Sequence, residues 1–371
     1  MDLRQPKGFV SYFSKARDYD GVFDFVPRAA RPKVGRPAFA IHQHQNFQVG
    51  AGSGRLHVIN DNGGRLFSFA PAAGFGHDML IDIDAANAAD EKWASANDRR
   101  PSPIAANGPT IQCALAAVSE TDMLLLGISD YGPGRIADPR TPRGRAALYS
   151  LAFMLRRAAA VRLDIQDYEL KAGIRSLEHP AALGAVTGQV FLSDTLENGA
   201  GYATFLGAPA VMQELLEMIS RPTPSQFFDR MNAHAHSSAC DTSCPDCLRS
   251  YSNLAYHSLL DWRLAIDMAA LALDPTAPIT LASPAWSRLS ALSATTLLSA
   301  RTGFRQTTIA GLEAIENGTS VKIVTHPLWR TEQANLGPEL AAAWDDAQRV
   351  RGLRVTEDSF VSVFEALRRP V

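Results

Sequence analysis

The chain has 371 residues, of which 46% are hydrophobic and 20% are charged, as in an ordinary globular protein with more than one domain. Its formal net charge is −2, which excludes a bulk electrostatic attraction to nucleic acid. The first twenty residues lack the apolar run of a signal peptide, and no stretch approaches the roughly 18 apolar residues of a spanning helix. These features predict a cytoplasmic protein without a membrane partner.

Two β-hairpins are predicted near the N-terminus. The first encloses the turn Asp61-Asn62-Gly63-Gly64, whose residue types favour a tight reversal between two alternating strands. The second encloses the polar run at residues 119–122, again with apolar segments on both sides.

Arginine is concentrated in the next part of the chain, where residues 135–162 contain seven arginines and one acid, Asp138. Guanidinium groups suit phosphate, so one interpretation is a nucleic-acid contact. The other interpretation is a solvated loop that leads into a solvated helix face. The candidate nucleic-acid-binding residues are Arg135, Arg140, Arg143, Arg145, Arg156 and Arg157.

A helix is predicted over residues 146–160, which are strong helix formers, and a strand over residues 161–165. The acids Asp167 and Glu169 then precede Lys171 in an alternating pattern. Two carboxylates and a lysine can hold Mg²⁺ and a nucleophilic water, so a metal-dependent nuclease is the alternative function. The motif is short, and such residues more often lie on a solvated strand edge.

Three of the four cysteines lie within eight residues, in the order Cys240, Cys244 and Cys247. The segment 240–247, here called the cysteine loop, also contains Asp, Ser, Thr and Pro, which are typical of loops. Without a secretion signal, clustered cysteines indicate metal ligands rather than disulfides. Cys113 stands alone in an alternating apolar segment and is expected to be a buried strand residue.

A closed tetrahedral zinc site needs a fourth ligand. His257 begins the helix predicted after the cysteine loop, where its ring can point back at the loop, while His234 and His236 lie just upstream. A site with four protein ligands has no open coordination position. Its role would be structural, because its binding free energy contributes to folding.

The last hundred residues alternate between helical and strand patterns, which is typical of a small α/β unit. The predicted elements are a helix at 308–316, a strand at 321–325, a helix at 338–350, a strand at 353–356 and a helix at 358–368.

The predicted fold class is mixed α/β (α+β), with boundaries at a Pro-, Gly- and Arg-rich loop and at a Pro-rich stretch. The three parts are a β-rich N-terminal region (1–131), a helical zinc-knuckle domain (132–273) and a small C-terminal α/β unit (274–371).

The sequence contains no G-x-x-x-x-G-K-[ST] phosphate loop and no acidic Mg-binding box of the helicase type. Without the backbone nest and its lysine, nothing obvious holds a triphosphate. The chain is therefore not expected to hydrolyse ATP by itself.

The run at residues 240–265, with residues 190–206 before it, resembles the MrfA-type zinc-binding domain. That domain occurs at the C-terminus of many bacterial and archaeal superfamily-two helicases, and in separate partner chains of the DrmB type from DISARM anti-phage systems. Shorter likenesses to DrmB-type chains lie at residues 8–9, 57–67, 326–329 and 368–370. Only the region of the cysteine loop is specific.

The resemblance implies a non-catalytic, helicase-associated zinc-binding module at residues 132–273 that pairs with a superfamily-two helicase and helps it engage DNA. It carries Cys240, Cys244 and Cys247 over as zinc ligands. Some relatives have a fourth cysteine soon after the third. Position 253 and its neighbours have none here, so His257 is chosen as the fourth ligand. A scaffold that binds only protein remains a further alternative.

Overall fold

The structure is a computed structural model that describes residues 31–35, 37–60, 66–71, 78–80, 109, 111–178, 186–222 and 227–368. Helices alternate with mainly antiparallel sheets, which confirms the mixed α/β prediction. The turn at 61–64 and the likenesses at residues 8–9 and 369–370 lie outside the described residues. Among the helices that are described, none combines the length and the apolar character needed to cross a bilayer.

Six strands form the largest sheet. They are β1 (Arg31–Val34), β2 (His42–His44), β3 (Phe47–Asn60), β7 (Leu115–Ile128), β8 (Leu170–Glu178) and β9 (Val186–Asp194). The strand order is β1-β3-β7-β9-β8, with β2 also paired to β3, and every pair is antiparallel. β3 and β7 pair along their whole length, so that Asn60 lies opposite Leu115.

A second, small sheet has the order β5-β4-β6. Its strands are β4 (Phe67–Pro71), β5 (Asp78–Leu80) and β6 (Ile111–Cys113). The first predicted hairpin is therefore wrong in its pairing, since β3 pairs with β7 and β4 pairs with β5 and β6. The second is wrong because residues 119–122 lie inside β7, where the buried Thr121 hydroxyl donates to the carbonyl oxygens of Asp194 and Leu196.

The large sheet curls, so that β1 at one end of the strand order contacts β8 at the other. One face carries a small core, whose buried members are Val34, Leu56, Met123, Leu125 and Phe191. Gly50 allows the chain to cross closely over β3, because a Cβ atom at this position would collide with the carbonyl oxygen of Ala40.

The described helices are α1 (Pro142–Leu163), α2 (Tyr202–Leu206), α3 (Pro209–Ser220), α4 (Phe227–Asn232), α5 (His234–Ser237), α6 (Trp262–Leu273), α7 (Pro284–Ser299), α8 (Pro338–Asp345) and α9 (Val363–Arg368). Short 3₁₀ turns lie at Asp167–Glu169, Tyr251–Tyr256, Gln333–Asn335 and Glu357–Ser359, and Asp346–Val350 is π-helical.

Helix α1 is buried between the large sheet and helix α6, and it packs on β8 and β9. The Thr141 side chain caps its start by accepting a hydrogen bond from the Gly144 N–H, and Pro142 occupies the first turn. The helix confirms the prediction for residues 146–160. The strand predicted at 161–165 is wrong, because the helix continues to Leu163 and ends at Asp164 in a left-handed conformation.

The C-terminal unit contains a four-stranded sheet packed against α7 and α9. Its strands, in their order across the sheet, are β10 (Arg305–Ile309), β11 (Leu312–Glu316), β12 (Val321–Thr325) and β13 (Phe360–Ser362). β12 and β13 run parallel, while the other two pairs are antiparallel. The strand predicted at 321–325 is confirmed as β12.

Several predicted elements of this unit are wrong. Residues 308–316 form most of the β10–β11 hairpin instead of a helix, because Ala310 and Gly311 both take positive φ, the geometry of a tight hairpin turn. The segment 353–356 makes only an isolated bridge, between Arg354 and Ser320. Residues 358–368 divide into the end of a 3₁₀ turn, β13 and α9.

One continuous hydrophobic core joins the large sheet, α1, α6 and the C-terminal unit; among its members are Leu126, Leu151, Leu264 and Ile323. The large sheet takes strands from both sides of residue 131. The division of the chain into domains at residues 131 and 273 stays a prediction. The three predicted parts share this core.

Candidate metal centre

The cysteine loop brings its three thiols together with an imidazole. Ligand atoms of His236, Cys240, Cys244 and Cys247 all lie within 4.8 Å of one another. His236 lies on α5, and the helical turn continues to Cys240, whose N–H donates to the His236 carbonyl oxygen at 2.8 Å. Among the described residues, this is the group of histidines, cysteines and acids that could hold a metal ion.

The sulfur atoms are spaced for a shared ion rather than for a disulfide. The Sγ atoms of Cys240 and Cys247 are 3.8 Å apart, and both residues are free thiols. Two ligands about 2.3 Å from a tetrahedral zinc ion would lie roughly 3.8 Å from each other, whereas a disulfide bond is about 2.05 Å long. The Cys244 N–H also donates to the Cys247 sulfur at 3.0 Å, which stabilises a thiolate there.

His236 is oriented as a metal-binding histidine. Its Nδ1 donates to the Met231 carbonyl oxygen at 2.9 Å, which leaves the lone pair on Nε2. That Nε2 atom is buried and has no hydrogen-bond partner. Histidine ligands commonly donate their second ring nitrogen to a carbonyl in this way, so the residues present fit a bound metal. The edge of the ring also packs against Trp262.

The thiols of Cys240 and Cys247 titrate as a pair. The hydrogen bond from Cys240, helped by the Cys244 N–H, lowers the pKa of Cys247 to about 5. The same hydrogen bond and burial raise the pKa of Cys240. The cluster therefore already holds a thiolate, the form that binds metals, near neutral pH.

The structure does not bring His257 to the three thiols. Its Nε2 lies 2.9 Å from the Asn253 Oδ1 and 3.1 Å from the Ser250 carbonyl oxygen, so the imidazole donates its proton within the turn that follows the cysteine loop. The His257 ring was predicted to point back at the cysteine loop, and it points instead at the turn that follows the loop. His236 takes the place beside the sulfurs, and the spacing His-x3-Cys, one helical turn, is the signal that could have found it.

The other residues weighed for this site lie apart from it. His234 is exposed on α5, and Cys113 is half-buried on β6, outside the group of four ligand atoms.

Arginine side chains hold the backbone of the cysteine loop. Arg157 on α1 donates to the carbonyl oxygens of Pro245 and Cys247, at 2.9 and 2.7 Å. The buried Arg263 donates to the Asp241 carbonyl oxygen at 2.8 Å and lies over the ring of Trp262. These contacts connect the candidate metal centre to α1 and α6, the two helices at the middle of the molecule.

The arginines predicted to bind nucleic acid are largely engaged within the protein. Arg156 is buried and donates to Asp167 and to two serine hydroxyls, and Arg157 binds the cysteine loop. Arg135 donates to the Ala277 carbonyl oxygen, and Arg145 donates to that of Arg140. Arg140 pairs with Asp138, and Arg143 is half-buried at the start of α1. Their contact with nucleic acid stays a prediction.

The carboxylates of the nuclease-like motif are also engaged. Asp167 pairs with Arg156 at 3.0 Å. Glu169 accepts a hydrogen bond from the Gln166 N–H at 3.0 Å. Burial lowers the pKa of Lys171. Neither acid belongs to a group of three or more metal-binding side chains within the described part of the chain.

No family model matches the chain. Over 168 residues it is 33% identical to the Druantia protein DruE of Escherichia coli (strain UMEA 4076-1), a match that takes in 43% of this chain and 8% of that protein. The crystal structure of the DUF1998 helicase MrfA bound to DNA is similar over 67% of this chain and 25% of that one, with 13% identity and a TM-score of 0.35. A TM-score this low gives no support for a shared function. The matched region is a small part of each of these longer proteins.

Proposed function

We propose that the chain is a non-catalytic, zinc-binding accessory subunit of a superfamily-two DNA helicase that acts in prokaryotic anti-phage defence. The observation that carries this proposal is the cluster of His236 with three cysteines, the cysteines lying in a run of sequence that resembles a helicase-associated zinc domain. The 33% identity to the Druantia protein supports a role in the same kind of system. Membership of a DISARM system is part of the proposal.

Zinc is the metal that suits three thiolates and one imidazole. When bound, it would cross-link α5 to the cysteine loop, and four protein ligands would leave no open position for catalysis. Structural zinc binds small peptides with about 10–16 kcal/mol, which is folding free energy for the segment it closes. Helix α5 has four residues, so it depends on tertiary contacts, to which a bound metal would add.

The proposed partners are a helicase subunit and DNA, both in the cytoplasm. The accessory chain would help the helicase engage DNA, while the helicase supplies ATP hydrolysis. Of the predicted arginines, Arg140 and Arg143 are placed near the molecular surface at the start of α1, where phosphate could reach them.

Two measurements test the proposal. Elemental analysis of freshly purified protein should find about one zinc per chain, as four ligands predict. Co-expression with the superfamily-two helicases of the same genome should give a complex with one of them that survives size-exclusion chromatography. A metal-free chain that still folds after all three cysteines are changed to serine would overturn the zinc assignment. The absence of a complex would overturn the accessory role.

A further inference from the structure

Exposed apolar side chains are concentrated on a few neighbouring segments. Nine large hydrophobic side chains of the described residues are strongly exposed, and five of them lie on segments that contact one another. These five, here called the apolar face, are Val161 (59% exposed), Tyr168 (64%), Leu196 (61%), Phe205 (46%) and Tyr251 (82%).

Hydrogen bonds join the segments that carry Tyr168 and Leu196. The N–H of Thr195 donates to the Glu169 carbonyl oxygen at 2.9 Å. The Thr195 hydroxyl donates to the Tyr168 carbonyl oxygen, also at 2.9 Å. The strand end that carries Leu196 is thereby fixed beside the turn that carries Tyr168.

Two arginines bring the remaining residues to the same end of α1. Arg156 donates to Asp167 and to the hydroxyls of Ser250 and Ser252, so the neighbours of Tyr168 and of Tyr251 share one guanidinium. Arg162 lies over the Phe205 ring, 5.8 Å from its centre, and is the next residue after Val161.

The backbone under this face is held in place. The buried carboxylate of Asp194 accepts hydrogen bonds from the N–H groups of Ala200, Tyr202 and Ala203, which fixes the start of α2. The buried Asn253 side chain bonds the Leu248 carbonyl oxygen and the Ser250 N–H, which fixes the turn of Tyr251. A surface that is already ordered loses little entropy on binding.

The charges around the apolar face favour a protein over a nucleic acid. Residues 161–171 and 194–206 contain five acids and two bases, of which Asp194 is buried and Asp167 pairs with Arg156. Asp164 and Glu197 are exposed among them. Carboxylates repel phosphates, and the exposed cation on these segments, Arg162, already pairs with Glu214, so the surface offers little of the positive charge on which DNA affinity depends. Exposed tyrosine and aliphatic side chains edged by acids are complementary to an apolar protein surface edged by lysine and arginine.

We propose that the apolar face is the docking site for a folded protein whose contacting surface has an apolar centre and a basic edge. This inference rests on the function proposed above, which makes that protein the helicase subunit.

The test compares a face variant with a matched control variant. The face variant is Tyr168→Ala with Leu196→Ser, and the control is Leu292→Ser with Val350→Ser, which removes two exposed apolar side chains outside the face. Each full-length chain is titrated against the immobilised superfamily-two helicase found by the co-expression described above. The face variant should bind about tenfold or more weakly and the control within about twofold of the unchanged chain. Zinc content and the thermal midpoint should be the same in all three.

Charge reversal tests the acidic edge. Glu197→Lys should weaken helicase binding at low salt and have less effect at high salt, because screening removes a charge contribution. An equal or tighter complex at low salt would contradict the basic edge assigned to the partner.

The remaining outcomes separate this inference from the proposed function. If the unchanged chain binds the helicase and the face variant binds equally well, the docking site is wrong and the accessory role stands. If the face variant keeps the helicase but loses a single-stranded oligonucleotide of about 20 nucleotides in an anisotropy titration, the face binds nucleic acid and the proposal is overturned. If the unchanged chain binds no helicase, the docking site and the accessory role both fail.

Discussion

The guanidinium of Arg157 donates a hydrogen bond of 2.7 Å to the carbonyl oxygen of Cys247, and so joins the longest described helix to the candidate metal centre. The same Nη1 atom bonds the Pro245 carbonyl oxygen. The cysteine loop is therefore held by a side chain that lies about ninety positions away in the sequence.

Replacing Arg157 with methionine should keep most of the aliphatic packing and remove both hydrogen bonds. Two backbone carbonyls would then lose a charged donor, so we expect the free energy of unfolding to fall by about 1–3 kcal/mol. Urea denaturation of the zinc-loaded protein measures this. Arg143→Met on the first turn of the same helix is the control and should change stability little. Equal losses in the two variants would show that the contact with the loop contributes nothing of its own.

His236 and His257 can be distinguished by removing each imidazole. His236→Ala should lose most of its zinc, because the ligand set falls to three sulfurs. His257→Ala should keep about one zinc per chain, since its imidazole donates to Ser250 and Asn253. The measurements are zinc content after dialysis and the absorption spectrum of the cobalt-substituted protein. The reverse result would place His257 in the site.

Zinc loading of the metal-free protein should release fewer than three protons at pH 7. The pKa of Cys247 is lowered to about 5, so this thiol has already lost its proton, whereas the raised pKa of Cys240 keeps that thiol protonated. Metal binding then displaces the proton of Cys240 but not one from Cys247. More protons should be released as the pH of the titration falls towards 5, where Cys247 becomes protonated. Calorimetry in buffers of different ionisation enthalpy counts the protons. A release of three at pH 7 would contradict the thiolate at Cys247.

Any DNA contact at the start of α1 should depend on salt. If Arg140 and Arg143 bind phosphates, changing both to alanine should reduce the slope of log affinity against log salt by about two. Fluorescence anisotropy with a duplex at several salt concentrations measures the slope. Arg135→Ala is a suitable contrast, because that side chain is buried against the Ala277 carbonyl oxygen. An unchanged slope in the double variant would remove these two arginines from the interface.

The chain should not cleave DNA by itself. Asp167 and Glu169 each have a partner within the protein and do not form a metal-binding group. Incubation with supercoiled plasmid and Mg²⁺ or Mn²⁺ should leave it intact. Cleavage that disappears in Glu169→Ala would restore the nuclease interpretation.

The sequence was informative where a local pattern decides the structure. Helix α1 follows from a run of strong helix formers with Thr141 and Pro142 at its start. The three thiols follow from their spacing in a polar loop, because a short gap between ligands can itself turn the chain around an ion.

Predictions from the sequence were wrong where residues far away in the chain decide the local structure. Residues 119–122 are polar enough for a turn, yet β3 pairs along the whole segment and the Thr121 hydroxyl bonds the last residue of β9, which keeps the segment extended. Ala310 and Gly311 close a hairpin where the periodicity indicated a helix. The position of His236 depends on α5 continuing for one more turn to Cys240, which three sulfurs alone do not reveal.

The pairing of Asn60 with Leu115 places the two ends of the intervening segment side by side. The two backbones are already neighbours in one ladder, so an Asn-Gly reversal in place of residues 61–114 could close the gap without moving either strand. The small sheet of β4, β5 and β6 would go with the excised piece, whereas His236 and the cysteine loop lie outside it. A gene shortened in this way would encode a smaller chain, in which metal binding and partner binding can be measured without residues 61–114.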